Sequence, residues 1–151
     1  MQDKIRQVAL RWLARRDYSQ HEIAQKLALK GYPQDAIHHI INDLVTKGLI
    51  KDQRFAEHYR HWRQSKGFGP LRISAELQIR GVSTETIAEV IQITDNIWFT
   101  EARKVWQKHF KNKPPSDFHH RAKQMRFLQH KGFTREQITA AIPGNRNTDD
   151  E

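Results

Sequence analysis

At three places about 50 residues apart, a leucine is followed, four residues later, by a glycine with a basic residue before it and an apolar one after it. The segments are Leu27-Ala28-Leu29-Lys30-Gly31-Tyr32, Leu77-Gln78-Ile79-Arg80-Gly81-Val82 and Leu128-Gln129-His130-Lys131-Gly132-Phe133. The glycines stand 50 and 51 residues apart, and isoleucines follow at fixed offsets: Ile37, Ile87 and Ile138 six residues on, Ile41, Ile91 and Ile142 ten on. A period of this length marks an array of helical units. Each glycine reads as a helix C-cap, because a helix commonly ends on a left-handed residue that glycine adopts cheaply, and a cation in the last turn suits the helix dipole. The next helix then starts at Pro33, Ser83 or Thr134, and Ser19 with Glu22 and Thr134 with Gln137 have capping-box spacing.

A further helix with an apolar stripe precedes each of these pairs: Ile5, Val8, Ala9, Trp12 and Leu13; then Phe55, Tyr59 and Trp62; then Phe99, Ala102, Val105, Trp106 and Phe110. The pattern predicts an all-α chain of about nine helices, at 3–17, 20–30, 33–47, 53–66, 70–80, 84–94, 96–111, 117–131 and 135–142. They group into three tandem three-helix repeats, 1–48, 49–94 and 95–144, with a disordered tail at 145–151. Units of about 50 residues have marginal cores alone, so an elongated, curved array of mutually supporting repeats is expected.

Composition narrows the chemistry. With no cysteine among 151 residues, disulfides, thiolate metal sites and a cysteine nucleophile are excluded. Charged residues appear at once after Met1, and the apolar runs are short, so neither a secretory signal nor a membrane span is expected and the cytoplasm is the default location. No cofactor or metal site is expected: His58 and His61 lack a third ligand by spacing, and the glycine-rich turn lacks the Walker pattern. Ser19, Ser83 and Thr134 are accounted for as caps and the carboxylates are scattered, so no catalytic residue is assigned and the chain is not expected to be an enzyme.

The net charge of +9 favours polyanionic partners or an acidic protein groove. Basic residues outnumber acidic ones by eight to five in the first repeat, seven to five in the second and ten to four in the third. In the third, Arg103, Lys104, Lys108 and Lys111 recur at helical spacing, and with Lys123 and Arg126 they are candidate phosphate contacts. In the second, Arg60, Arg63 and Lys66 precede the turn Gly67-Phe68-Gly69-Pro70 and Arg72 follows it, so four cations surround a tight corner. Trp12, Trp62 and Trp106 are expected in the core, with Trp98 less determined.

The segment Asp52-Gln53-Arg54-Phe55-Ala56, Tyr59, Lys66-Gly67-Phe68-Gly69-Pro70-Leu71-Arg72-Ile73, Glu76-Leu77 and Arg80-Gly81-Val82 resembles the signature of the RecX family, regulators of the bacterial recombinase RecA. Arg16-Asp17-Tyr18-Ser19, Glu22 and Lys26-Leu27 are similar to that family's first-unit motif, and Phe127-Leu128 with Lys131-Gly132-Phe133 to its third. Leu71, where a second basic residue is common, and Ile23, where leucine is usual, depart from the pattern. The resemblance implies a non-enzymatic inhibitor that lies in the groove of RecA filaments on single-stranded DNA. Such an inhibitor represses ATP hydrolysis, strand exchange and co-protease activity, and so bears on recombination, DNA repair and the SOS response. Arg54, Arg60, Arg63, Lys66, Arg72 and Arg80 are then the expected RecA-filament contacts. The other reading is a direct binder of single- or double-stranded DNA acting through the third repeat. With no heptad seam, a monomer is expected.

Overall fold

The computed structural model describes residues 2–144; the expected tail at 145–151 lies outside them. Nine α-helices and no strand occur among the described residues: α1 (Gln2–Leu13), α2 (Gln20–Leu29), α3 (Gln34–Thr46), α4 (Asp52–Ser65), α5 (Pro70–Ile79), α6 (Thr84–Val90), α7 (Ile97–Phe110), α8 (Phe118–Lys131) and α9 (Arg135–Ala141). None is long and apolar enough to cross a membrane.

Local chemistry sets most of the boundaries. Both capping boxes form, with the Ser19 hydroxyl accepting from the Glu22 N–H and the Thr134 hydroxyl from the Gln137 N–H. Ser83 Oγ accepts from the Thr86 N–H at α6, and Asp117, a cap the sequence reading missed, accepts from the His120 N–H at α8. Gly31, Gly81 and Gly132 all take left-handed φ, at 89°, 83° and 105°. Two helices stop short of expectation. α1 ends at Leu13, not near 17, because the next six residues make a connection in which Arg16 lies 3.6 Å over the Tyr18 ring and donates to the Asp17 carbonyl. α6 ends at Val90, not 94: Ile91 is buried, and the Ile93 carbonyl accepts from Gln137 Nε2 at 2.8 Å, a bond outside any helix.

The helices pack into two compact units, one made of the chain up to Arg60 with Glu76–Val90, the other of His61–Ala75 with the chain from Ile91 onward. In the first, Ile5, Ile23, Leu27, Ile40 and Leu44 are fully buried, each such aliphatic side chain contributing about 1.5–3 kcal/mol. Polar groups tie the unit together: Ser19 Oγ donates to the Arg80 carbonyl at 2.7 Å, and Asp52 Oδ1 accepts from the Gln20 N–H at 2.9 Å. In the second, Trp98 and Trp106 join Leu128, Phe133 and Ile142 in the core, and Trp106 Nε1 donates to Gln124 Oε1 at 2.7 Å. Trp62 departs from its expected burial. The buried stripe of α4 ends at Tyr59, where the helix leaves the first unit, and Trp62 is 52% exposed.

Gly81 has both an unfavourable φ for other residues and no room, since a Cβ there would overlap the His21 side chain, whereas nothing lies within 4 Å of a Cβ at Gly31. Gly31→Ala should therefore cost only the left-handed strain, about 1 kcal/mol, and Gly81→Ala about 2 kcal/mol or more. Urea unfolding of the two variants measures this; equal losses would remove the His21 contact as a constraint.

Candidate functional site

The second unit turns on two glycine corners that meet backbone to backbone. α4 is closed by Gly67 at φ 91°, and the chain then runs along the end of α8. The Gly69 N–H donates to the Lys131 carbonyl at 2.8 Å and the Leu71 N–H to the Gly132 carbonyl at 2.9 Å. A Cβ on Gly69 would lie 2.6 Å from the Gly132 oxygen, and one on Gly132 would overlap Arg72 Cβ. Only paired glycines allow this approach.

The contact gathers three cations around one ring. The Arg63 and Arg72 guanidinium carbons lie 3.9 and 4.3 Å from the Phe68 ring centroid, and Lys131 Nζ lies 4.4 Å from it. Each such contact is worth about 0.5–1 kcal/mol where partly exposed. Arg72 NH1 also donates to the His130 carbonyl at 3.2 Å, satisfying a carbonyl in the last turn of α8. Burial, and then the neighbouring charges of Arg72 and Arg63, hold the Lys131 ammonium below the ordinary lysine range.

Beside this cluster runs a groove edged by Lys66 after α4, by Lys104 and Lys108 one turn apart on α7, and by Lys131 on α8. Val105 and Phe127 supply its apolar surface, and Glu101, paired with Lys104 at 3.5 Å, its only carboxylate among the described residues. His109 also lines it and stacks on Phe127 with ring centroids 3.8 Å apart. The Lys66 and Lys108 side chains are exposed and make no hydrogen bond or ion pair among the described residues.

The structure thus brings together Arg63, Lys66 and Arg72 from one expected set with Lys104 and Lys108 from the other. It places Arg54, Arg60 and Arg80 in the first unit, engaged within it. Arg54 Nε binds both Asp17 carboxylate oxygens at 3.1 Å, and its other nitrogens reach the Gly48 and Leu49 carbonyls. Arg60 NH1 donates to the Val90 carbonyl at 3.4 Å. Arg80 lies 3.7 Å from Glu22 and over the Tyr59 ring. Arg103 does not share the groove with Lys104, since its NH1 donates to the Ala141 carbonyl of α9 at 3.3 Å. Lys111 caps α7 in a left-handed conformation, and Lys123 and Arg126 are exposed on α8 outside the groove lining. Phe68, Phe127, His109 and Lys131 were missed as site residues. The basic residue before the cap glycine was the available signal for Lys131, and it was absorbed by the dipole argument.

Removing one of the like charges facing Lys131 should raise its pKa. Arg72→Gln is expected to move the Lys131 side-chain titration, followed by carbon-detected NMR, upward toward the ordinary lysine range. An unmoved titration would mean that the two cations do not act on each other.

The comparisons with known proteins converge on one family. Residues 6–44 match "RecX, first three-helix domain", 52–91 the second and 99–142 the third. "Regulatory protein RecX" of Halorhodospira halophila is 38% identical over 149 residues, spanning 99% of this chain and 92% of that one. The protein of that name from Pseudomonas fluorescens is 34% identical over 146 residues, 97% of this chain and 94% of its own. The crystal structure of RecX from Lactobacillus salivarius superposes with a TM-score of 0.80 over 93% of each chain, at 23% identity, and so supports the fold. Matched along three successive three-helix domains and over nearly its whole length by curated relatives, the chain belongs to the RecX family of regulatory proteins.

Proposed function

We propose that the protein is a non-enzymatic inhibitor of the RecA recombinase, acting in the cytoplasm as a monomer. It binds RecA filaments on single-stranded DNA and lowers their ATP hydrolysis, strand exchange and co-protease activity, and through them recombination, DNA repair and the SOS response. The observation that carries this reading is the full-length match to proteins named regulatory protein RecX. The cationic cluster around Phe68 supports it with a surface suited to acidic groups.

In this reading Arg63, Lys66 and Arg72 meet the filament. Arg54, Arg60 and Arg80 act from the first unit, where each already holds a neighbouring group. A second reading draws on the exposed Lys111, Lys123 and Arg126 of the second unit, which together with Arg103, Lys104 and Lys108 would contact a DNA backbone directly. Salt separates the two: a backbone binder loses affinity steeply as salt rises, a shape-matched protein contact less so.

The experiment is ATP hydrolysis by RecA filaments preassembled on excess single-stranded DNA, with this protein added below one per RecA and an unrelated basic protein of equal charge as control. Repression is expected at substoichiometric ratios and not with the control. Loss of hydrolysis only when the added protein can coat the DNA would replace the regulator reading with the DNA-binding one. Lys66→Glu is expected to weaken repression while leaving helix content and melting unchanged. Arg72→Glu should weaken it too, with about 1 kcal/mol less stability from the lost carbonyl bond and ring contact. Full repression by Lys66→Glu would remove that lysine from the contact surface.

A further inference from the structure

The groove of the second unit differs from a plain basic face in three respects. Its lysines share the lining with two apolar side chains, Val105 and Phe127, both half-buried. Its aromatic rings are already engaged: Phe127 is stacked on His109 at 3.8 Å, meets the edge of Phe110 at 5.4 Å and has Lys131 Nζ 5.7 Å from its centroid. Beside the groove, Phe68 is surrounded by Arg63, Arg72 and Lys131. Its Glu101 carboxylate faces the same space as the lysines.

A single-stranded nucleic acid would use free ring faces for its bases, whereas Phe127 is already stacked on His109 and packed against Phe110, and phosphates have no use for the apolar surface of Val105. An acidic amphipathic helix uses what is present: an apolar side chain against Val105 and Phe127, and carboxylates one turn apart that match the one-turn spacing of Lys104 and Lys108, with Lys66 and Lys131 in the same lining. Lys66 and Lys108 have no carboxylate to surrender when such a partner arrives. Lys131, crowded by Arg63 and Arg72, gains from a nearby anion.

We propose that the groove bounded by Lys66, Lys104, Lys108 and Lys131 is a docking site for an acidic amphipathic segment of a protein partner, with an apolar side chain seated on Val105 and Phe127. The proposal rests on the regulator reading for the partner's being a protein of the filament, and on charge and apolar complementarity for the site itself.

The test is fluorescence anisotropy with the full-length protein and a labelled synthetic helix of fourteen residues, carrying glutamates at i and i+4 on both sides of a leucine pair. Saturable binding is expected. The double variant Lys66→Glu/Lys108→Glu should weaken it by about tenfold, and Lys30→Glu/Lys51→Glu, of equal charge change at exposed lysines of the first unit, by less than about threefold. Replacing the leucines by serine should also weaken it, by about fivefold. Absent binding, or equal losses in the two double variants, overturns the proposal. So does an oligothymidylate of equal charge that binds more tightly than the peptide and loses affinity with Lys66→Glu/Lys108→Glu, which would make the groove a nucleic-acid site. The filament assay on wild-type protein keeps the two readings apart: repression without peptide binding overturns the groove alone, and peptide binding without repression supports the groove while overturning the regulator reading.

Discussion

The backbone of Gly69–Leu71 lies directly on the backbone of Lys131 and Gly132, and the second unit is organised by that contact. Two amide-to-carbonyl hydrogen bonds hold it, and the lack of a Cβ on either glycine permits it. Because the two stretches of backbone touch there, the residues flanking them, Phe68 and Arg72 on one side and Lys131 on the other, are forced into a common space. The same cap serves differently in each repeat. Gly31 faces open space, Gly81 presses on the His21 side chain, and Gly132 accepts another stretch of backbone. The local reason for glycine, a left-handed φ, is shared by all three; the tertiary reason is not.

The two units handle positive charge in different ways. In the first, five cations are matched to carboxylates: Arg6 and Lys47 to Asp43, Arg54 to Asp17, Arg16 and Arg80 to Glu22. In the second, three cations lie over one phenylalanine ring, Lys104 pairs with Glu101, and Lys66 and Lys108 are left to solvent. Carboxylate pairing neutralises charge inside the fold, whereas a ring contact leaves the charge in place. Much of the field available to a partner therefore belongs to the second unit, as the uneven charge of the repeats implied.

What was legible in the sequence is what depends on neighbours a few residues away. Glycine caps, the Ser19 and Thr134 boxes and the apolar stripes all follow from i, i+3 and i, i+4 relations, and all nine helices form near their expected places. What escaped depends on contacts across tens of residues. Arg54, Arg60 and Arg80 look no different in sequence from Arg63, Lys66 and Arg72, yet the first three are absorbed by Asp17, the Val90 carbonyl and Glu22. Arg103 and Lys104 are adjacent, but one turns to the end of α9 and the other to the groove. Phe68 read as a turn residue because its role lies in three cations drawn from three helices, α4, α5 and α8.

Each unit is assembled from two separate stretches of chain, and the crossings fall within α4, within α5 and just after α6. During synthesis the first unit cannot close when Arg60 leaves the ribosome, because its closing stretch, Glu76–Val90, follows a segment that belongs elsewhere. That intervening segment, His61–Ala75, carries Arg63, Phe68 and Arg72 together, but Lys131, the third cation over the ring, arrives only with α8. A chain cut short after α6 therefore contains every stretch of the first unit but lacks Lys104, Lys108 and Lys131, and with them most of the groove lining.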